Sequence, residues 1–213
     1  MKEITILFDL DGTLIDSTEA ILESFAEAFK QMGMKQPDDE AIKKLIGYPL
    51  DVMFVELGVP EVQKWDYVDA YKRHYRKISK EKTVLLPYAR EAIELAYRHA
   101  RLGIVTTKTA LYSREMLEHM GVMRYFDTLV GREDVTHPKP HPEPIETALA
   151  RMGCGKEKCW MIGDTPMDIE AAQRAGIACA ALSCGYASID ELSAYGVKIF
   201  PDAHKAVKFI TAS

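Results

Sequence analysis

The sequence predicts an α/β fold, in which a doubly wound, Rossmann-like parallel sheet core carries an inserted all-helical cap domain. Short apolar runs of strand length alternate with amphipathic helical segments after Pro87. Residues 17–80 have helical periodicity and no strand pattern. A chain of 213 residues is long enough for one core and a small insertion. We therefore assign residues 1–16 and 81–213 to the core and residues 17–80 to the cap.

The predicted core elements alternate along the chain in the order that a parallel sheet requires. The first strand spans residues 4–8 and ends at Asp9. Because helices join successive parallel strands, they are expected to cover both faces of the sheet. The later strands are predicted at residues 102–106, 128–130, 159–162, 177–182 and 197–200. The helices between them are predicted at residues 88–100, 111–120, 142–152 and 166–175.

Four helices are predicted in the cap. Asp16 and Ser17 are suitable N-terminal caps for the first, and Gly33 ends it. A second helix begins after Pro37 and is broken at Gly47. The third and fourth are predicted over residues 50–57 and 62–78.

Composition narrows the range of partners. The net charge of −5 argues against a surface for nucleic acid or anionic membranes. No apolar run is long enough to span a bilayer, and the N-terminus lacks the apolar region of a signal peptide, which predicts a cytoplasmic protein. The expected partner is a small molecule. Reduced thiols are expected, since no CxxC pair or zinc-ligand spacing occurs among Cys154, Cys159, Cys179 and Cys184.

Ligands of open α/β sheets bind beyond the carboxyl ends of the strands, and four polar clusters follow predicted strands here. The first is Asp9-Leu10-Asp11-Gly12-Thr13. Residues two apart in extended chain point the same way, so Asp9 and Asp11 are expected to face one cavity. Two carboxylates there can divide the roles of nucleophile or metal ligand and general acid/base. Gly12 permits a tight turn out of the strand.

This cluster resembles the first motif, Asp-x-Asp-Gly-Thr/Val, of the haloacid-dehalogenase-like superfamily of aspartyl-phosphate enzymes. Phosphatases of that superfamily carry the second aspartate, which dehalogenases generally lack. The resemblance therefore implies a phosphatase in which Asp9 is the nucleophile and Asp11 is the general acid/base. It also implies that Gly12 and Thr13 lie against the substrate.

The second cluster, Thr106-Thr107-Lys108, ends an apolar strand. A hydroxyl group beside a backbone N–H can hold a phosphate oxygen. Thr106 matches the Thr or Ser of the superfamily's second motif, which implies a catalytic contact with the phosphoryl group. Thr107, a predicted substrate-binding residue, stands where members resembling phosphoglycolate phosphatases often have Asn. Because Thr107 differs from that Asn, the second motif does not by itself identify the substrate.

The third cluster is His137-Pro138-Lys139-Pro140-His141-Pro142. Its prolines restrict the backbone, so Lys139 should point in one defined direction. A fixed ammonium can neutralise a phosphoryl group or the attacking carboxylate. Lys-Pro-x-Pro resembles the superfamily's third motif, which implies a catalytic role for Lys139. We interpret His137 and His141 as loop residues.

The fourth cluster, Gly163-Asp164-Thr165-Pro166-Met167-Asp168, ends a strand and opens a helix. Carboxylate oxygens of this kind suit Mg²⁺. The cluster resembles the superfamily's fourth motif. The resemblance implies a magnesium site formed by Asp9, Asp164 and the backbone carbonyl of Asp11. It also implies that Asp168 orients Lys139 or the waters of the metal.

The whole chain thus resembles a Mg²⁺-dependent phosphatase of small soluble phosphate monoesters, with phosphoglycolate as the first candidate. The loop at Gly47 is the candidate for substrate selection, and Lys43, Lys44 and Arg73 could meet a second anionic group, although solvation of the cap explains them as well. Pyrophosphate and sugar or nucleotide monophosphates remain alternatives. Mutases of the β-phosphoglucomutase type resemble this chain in the core but carry a histidine early in the first cap helix. Residues 18–32 contain no histidine, which disfavours a mutase.

A rival of a different class is a signalling or binding module that carries a phosphoaspartate. Such receivers need no inserted cap, and their phosphorylated aspartate follows a later strand. The sequence leaves the oligomeric state open between monomer and homodimer.

Overall fold

The computed structural model describes residues 2–212, so Met1 and Ser213, the ends of the predicted core, lie outside it. Six parallel strands form one sheet in the order β5-β4-β1-β6-β7-β8. The predicted parallel α/β fold is therefore confirmed, including its last strand. The six strands of this sheet are β1 (Ile4–Phe8), β4 (Ala100–Val105), β5 (Thr128–Val130), β6 (Cys159–Gly163), β7 (Ala178–Leu182) and β8 (Lys198–Phe200). Two short strands, β2 (Ile15–Asp16) and β3 (Val84–Leu85), form a separate pair.

The helices lie where the periodicity predicts them, apart from two that the sequence analysis missed, α9 and α10. The helix predicted to reach residue 100 ends at His99, because β4 begins at the next residue. The helices are α1 (Thr18–Gln31), α2 (Asp39–Lys43), α3 (Leu50–Glu56), α4 (Lys64–Ile78), α5 (Ala89–His99), α6 (Ala110–His119), α7 (Glu143–Met152), α8 (Pro166–Ala175), α9 (Ile189–Ser193) and α10 (Ala203–Thr211). Short 3₁₀ helices cover Glu61–Gln63, Met123–Tyr125 and Arg132–Asp134.

Apart from Thr5, the central strand β1 is apolar because both faces of the sheet are covered. Ile6 and Phe8 join one hydrophobic cluster, whereas Leu7 joins a second cluster on the other face. All three side chains are fully buried. Alternate residues of a strand point to opposite faces, so an uninterrupted apolar run is the pattern of a strand buried on both sides.

The helices α1 to α4 form an insertion between β1 and β4 with an aromatic core of its own. Phe25 packs on Phe54 with ring centroids 4.6 Å apart, and on Tyr71 at 5.1 Å. Edge-to-face and tilted ring pairs of this kind add to the stabilisation from burial alone. The insertion therefore buries its own apolar face, and its boundaries at residues 17 and 80 stay a prediction.

The chain leaves and re-enters the core through a small antiparallel ladder that the sequence analysis did not predict. Ile15 of β2 pairs with Leu85 of β3, and Asp16 pairs with Val84. Two residues are too few to show an alternating pattern, so no sequence signal marks this ladder. Within residues 2–212, no helix has both the length and the apolar character that crossing a membrane requires.

Candidate active site

Asp9 lies at the carboxyl end of β1 and is 3% exposed. Its backbone N–H donates to the carbonyl of Ile162 on the neighbouring strand at 2.9 Å, which fixes the turn that follows. Leu10 points into the core and is fully buried, whereas Asp11 is half-buried. The two carboxylates lie close enough for the charge of Asp11 to raise the pKa of Asp9. Leu10 thus points away from the two carboxylates, while the cavity described below is lined by Asp11 and not by Asp9.

Lys139 connects Asp9 to Asp168. Its Nζ lies 2.8 Å from Oδ1 of Asp9 and 2.6 Å from Oδ1 of Asp168, and it donates to the carbonyl of Val105 at 3.1 Å. The ammonium is 2% exposed. Burial opposes its charge, but the carboxylates of Asp168 and Asp9 outweigh burial and raise the pKa of Lys139 overall. Lys139 is therefore a fixed positive charge beside Asp9.

Asp168 holds Lys139 from the first turn of α8. Its Oδ2 accepts hydrogen bonds from the backbone N–H of Thr165 at 3.0 Å and from the Thr165 hydroxyl at 2.7 Å. These bonds cap the helix, and Pro166 occupies the first helical turn where no N–H is needed. A Cβ at Gly163 would lie 2.3 Å from Cγ of Asp168, so only glycine fits there. Both oxygens of Asp168 thus have partners within the protein.

Asp164 is fully buried and receives only neutral donors. The Thr13 hydroxyl donates to Oδ1 at 2.7 Å, and the backbone N–H of Tyr186 donates to Oδ2 at 2.9 Å. Thr13, predicted to lie against the substrate, therefore uses its hydroxyl to hold Asp164. Tyr186 was missed by the sequence analysis, although it follows β7 and the strand-end rule could have found it.

Gly12 and Gly185 enclose Asp164 from two sides. A Cβ at Gly12 would lie 2.3 Å from Oδ2 of Asp164, and one at Gly185 would lie 2.1 Å from the same atom. Gly12 also has a φ of 78°, which side chains other than glycine rarely adopt. The backbone of both loops thus approaches the carboxylate more closely than any side chain would allow.

Gly12→Ala is expected to destabilise the protein more than Gly33→Ala. Both glycines have positive φ (78° and 68°), so each alanine carries about 1–2 kcal/mol of backbone strain. Gly33 has open space around it, whereas the new methyl at Gly12 overlaps Asp164 and should add about 1–3 kcal/mol. Urea denaturation of both variants measures the difference. Equal losses of stability would contradict the close packing at Asp164.

The buried carboxylates leave an excess of negative charge. Ligand atoms of Asp9, Asp164 and Asp168 lie within 4.8 Å of one another. Three negative charges against the single positive charge of Lys139 leave a net charge of −2. Burial is the main reason that the pKa of Asp9 rises to about 7, and it raises the pKa of Asp164 as well. A divalent cation with oxygen ligands fits this charge and donor set.

The oxygens available to such a cation belong mainly to Asp9 and Asp164. In the described part of the chain Asp164 has no ion-pair partner, and only one oxygen of Asp9 contacts Lys139. The carboxylate of Asp11 lies elsewhere: Ser17 donates to Oδ1, and Lys108 lies 3.2 Å from Oδ2. The predicted metal contact of Asp11 through its backbone carbonyl stays a prediction.

Lys108 is a site residue that the sequence analysis quoted but did not use. Its Nζ lies 3.2 Å from Oδ2 of Asp11 and donates to the hydroxyl of Tyr75, on helix α4, at 2.9 Å. Burial opposes its charge, but Asp11 and Tyr75 outweigh burial and raise the pKa of Lys108 overall. Lys108 therefore joins the Asp11 carboxylate to the helical insertion. Its place after the strand-end threonines was the available signal.

The hydroxyl groups of Thr106 and Thr107 form different hydrogen bonds. The Thr106 hydroxyl oxygen accepts from the backbone N–H of Lys108 at 3.2 Å, which leaves its own proton for a ligand oxygen. The Thr107 hydroxyl donates to the carbonyl of Gly47 at 2.8 Å. Gly47 has a φ of 111°, and a Cβ there would lie 3.1 Å from Cγ2 of Thr165. The Gly47 loop is thus in close contact with the core at two points.

A cavity of about 270 Å³ lies between the insertion and the core. Asp11, Thr107 and Gly47 line it, so it opens directly onto the proposed acid/base. None of Lys43, Lys44 and Arg73 lines it. Lys43 pairs with Glu40 at 2.8 Å, and Arg73 donates to Gln31 at 3.2 Å. These contacts favour surface solvation over substrate binding for the two side chains.

The chain is similar to known proteins over most of its length. The sequence profile of haloacid dehalogenase-like hydrolases matches residues 6–182. A pyrophosphatase of Oceanobacillus iheyensis is 35% identical over 180 residues, covering 84% of this chain and 83% of that protein. A 5′-nucleotidase of Pseudomonas aeruginosa is 34% identical over 193 residues, covering 89% and 87%. A phosphoglycolate phosphatase of Aquifex aeolicus is 31% identical over 188 residues, covering 87% of each chain.

The matched region contains every site residue predicted from the sequence, from Asp9 to Asp168, and stops before Tyr186. The three relatives bear the names of phosphatases, and they differ in the substrates that those names state. The predicted enzyme class is therefore confirmed. This chain belongs to the haloacid dehalogenase-like hydrolase family and is a phosphatase.

Proposed function

We propose that the protein is a Mg²⁺-dependent phosphatase that hydrolyses a small phosphate monoester through an aspartyl-phosphate on Asp9. The observation that carries this proposal is the placement of Asp9: a buried carboxylate paired with Lys139, beside Asp164, with Asp11 nearby. A positioned carboxylate can act as a nucleophile, and a second one can move protons.

In the first step an Asp9 oxygen attacks phosphorus, and the bond between phosphorus and the ester oxygen breaks. Asp11 gives its proton to the departing oxygen. In the second step Asp11 takes a proton from water, whose oxygen attacks phosphorus, and the bond to Asp9 breaks to release phosphate. Lys139 and the Thr106 hydroxyl hold phosphoryl oxygens, and Asp168 keeps Lys139 in place.

Mg²⁺, when bound to Asp9, Asp164 and the backbone carbonyl of Asp11, would offset the charge of the carboxylates and of the phosphoryl group. Ser17 and Lys108 fix the direction of the Asp11 carboxylate. The helical insertion serves as a cap that excludes water and limits the size of the leaving group. The cavity volume of about 270 Å³ supports a small substrate.

The candidate substrates differ in the group that carries the phosphate. Phosphoglycolate is the candidate from the sequence, and the names of the relatives add pyrophosphate and nucleotides. A cytoplasmic location and a monomeric or homodimeric state also remain predictions from the sequence.

Removing Mg²⁺ is expected to abolish phosphate release and to lower Tm. Without the cation, the net charge of −2 among the buried carboxylates is uncompensated. Phosphate release from a panel of monoesters, with Mg²⁺ and with a chelator, measures the first effect, and thermal unfolding measures the second. Mass spectrometry of acid-quenched enzyme should find a phosphorylated protein during turnover. No release from any ester with Mg²⁺ present would overturn the proposed function.

A further inference from the structure

The cavity beside Asp11 extends along one face of helix α4. Trp65, Val68, Lys72 and Tyr75 line it at spacings of three and four residues, which is the repeat of one helix face. Asp9 and Lys139 do not line it, whereas Asp11 does. The cavity therefore lies on the side of the site where the proton of Asp11 would meet the leaving oxygen.

Five aromatic residues line this cavity: Tyr48, Trp65, Tyr71, Tyr75 and Tyr112. Tyr71 and Tyr75 stack on each other with centroids 5.4 Å apart and planes at 11°, and both are buried. Trp65 and Tyr48 are 54% and 43% exposed. In the structure of residues 2–212, no other ring packs against Trp65, Tyr48 or Tyr112. Lys64 Nζ lies 5.6 Å from the ring centroid of Trp65, and Arg76 Cζ lies 5.8 Å from that of Tyr112, so a cation covers one face of each ring. The opposite faces of these two rings and the ring of Tyr48 are the surfaces to which a planar group can bind.

The charged groups in the lining balance each other. Three are acidic and three are basic: Asp11, Asp51, Glu133, Lys72, Lys108 and Arg132. Asp51 also lies 3.9 Å from Nζ of Lys64, which does not line the cavity. Lys108 pairs with Asp11 at 3.2 Å, and Arg132 donates to the carbonyl of Val135 at 3.2 Å. Of the three cations, Lys72 alone has no hydrogen bond or ion pair within the described residues. A leaving group with its own carboxylate or phosphate would need more positive charge.

We propose that this cavity binds an uncharged, planar aromatic ring carried by the leaving group of the substrate. The proposal rests on the proposed function, because the ring must arrive on a phosphate monoester. A nucleoside 5′-monophosphate and a benzyl-type phosphate both carry such a ring, and the volume of about 270 Å³ suits a single ring system. Phosphoglycolate and pyrophosphate have no ring and carry a second anionic group.

Two matched substrate pairs test the ring directly. Adenosine 5′-monophosphate is compared with ribose 5-phosphate, and benzyl phosphate with ethyl phosphate, each by kcat/KM with Mg²⁺. Within each pair the leaving oxygen is a primary alkoxide, so the difference reports the ring. A preference of about tenfold or more for the ring-bearing member of either pair is expected. The pair that shows the preference identifies the source of the ring.

The Trp65→Ala variant tests whether the cavity is responsible. We expect it to reduce the preference of the favoured pair about tenfold, because a stacking surface is lost. Tyr97→Ala is the matched control, since Tyr97 is an exposed ring (44%) on helix α5 outside the cavity. This control should keep the wild-type preference.

Two results would overturn the inference. The first is a higher kcat/KM for phosphoglycolate or pyrophosphate than for both ring-bearing esters. In that case Lys72→Met would lower kcat/KM for the anionic substrate, and Trp65→Ala would leave it unchanged. The other is Asp9-dependent release from ribose 5-phosphate and ethyl phosphate with no preference for a ring. If the Asp9→Asn variant still released phosphate from any ester, the proposed function itself would be wrong.

Discussion

Asp9→Asn is expected to lower phosphatase turnover by at least about 10⁴-fold. The amide oxygen of asparagine is a poor nucleophile, so the covalent step is lost even though the side chain has nearly the same size. Lys139 keeps its contact with Asp168 at 2.6 Å, so the surrounding structure should persist. Phosphate release under saturating Mg²⁺ and substrate gives the rate, and acid-quenched mass spectrometry should find no phosphorylated protein.

The same variant should change how stability depends on pH in metal-free protein. Burial raises the pKa of Asp9 from 3.8 to about 7, so the folded state binds a proton more tightly than the unfolded state. The contribution of Asp9 to the free energy of unfolding is then present below about pH 4 and is lost as pH rises to about 7. The wild-type protein should lose stability as pH rises between these values, and Asp9→Asn should lose less. The loss that remains in Asp9→Asn is expected from Asp164, whose pKa burial also raises.

Asp69→Asn supplies the control, because it makes the same chemical change on the exposed surface of α4. It should retain wild-type turnover and the wild-type dependence of stability on pH. Turnover by Asp9→Asn within tenfold of wild type would exclude Asp9 as the nucleophile. An unchanged dependence on pH would show that burial does not raise the pKa of Asp9.

Lys139→Met is expected to destabilise the protein by about 3–5 kcal/mol and to lower turnover by about 10²–10³-fold. Methionine has a similar length, but it leaves the buried carboxylates of Asp9 and Asp168 without the cation that they share. The charge that would hold the phosphoryl group is lost as well. Urea denaturation measures the first effect and phosphate release the second.

The double variant Lys139→Met/Asp168→Asn separates these two effects. Removing one unpaired charge should restore part of the lost stability, because asparagine can still accept the hydrogen bonds of Thr165. Turnover should stay low, since the ammonium is still absent. Lys30→Met is the surface control, with a side chain that is 80% exposed and an expected loss of about 0–1 kcal/mol. If the loss in Lys139→Met were as small as this, the ion pair would not support the fold.

Much of the fold was predictable because its strands are buried on both faces. An apolar run such as residues 4–8 has few alternatives once helices flank it. The short ladder of β2 and β3 was not predictable, since its two residue pairs are too few to produce an alternating pattern. The helices α9 and α10 did have local signals: a capping box of Ser188 and Glu191 begins α9, and Asp202 caps α10.

Some residues of the candidate site were likewise predictable from the sequence, and others were not. Asp9, Lys139 and Asp164 follow strands that lie close in sheet order, so strand ends alone place them near one another. Lys108 and Tyr186 could not be assigned partners from sequence. The contact of Lys108 depends on where Tyr75 of the insertion packs, and that of Tyr186 depends on how tightly its loop closes over Asp164.

The ladder between Asp16 and Val84 has a consequence for how such enzymes can diversify. The residues between these two leave and return at one point, so to the core they are a single closed loop. Doubling the length of a flexible loop costs only about 0.6 kcal/mol of closure entropy. An ancestral core could therefore have exchanged this segment for longer or shorter ones while its own folding changed little, which would let substrate preference evolve separately from the phosphoryl chemistry.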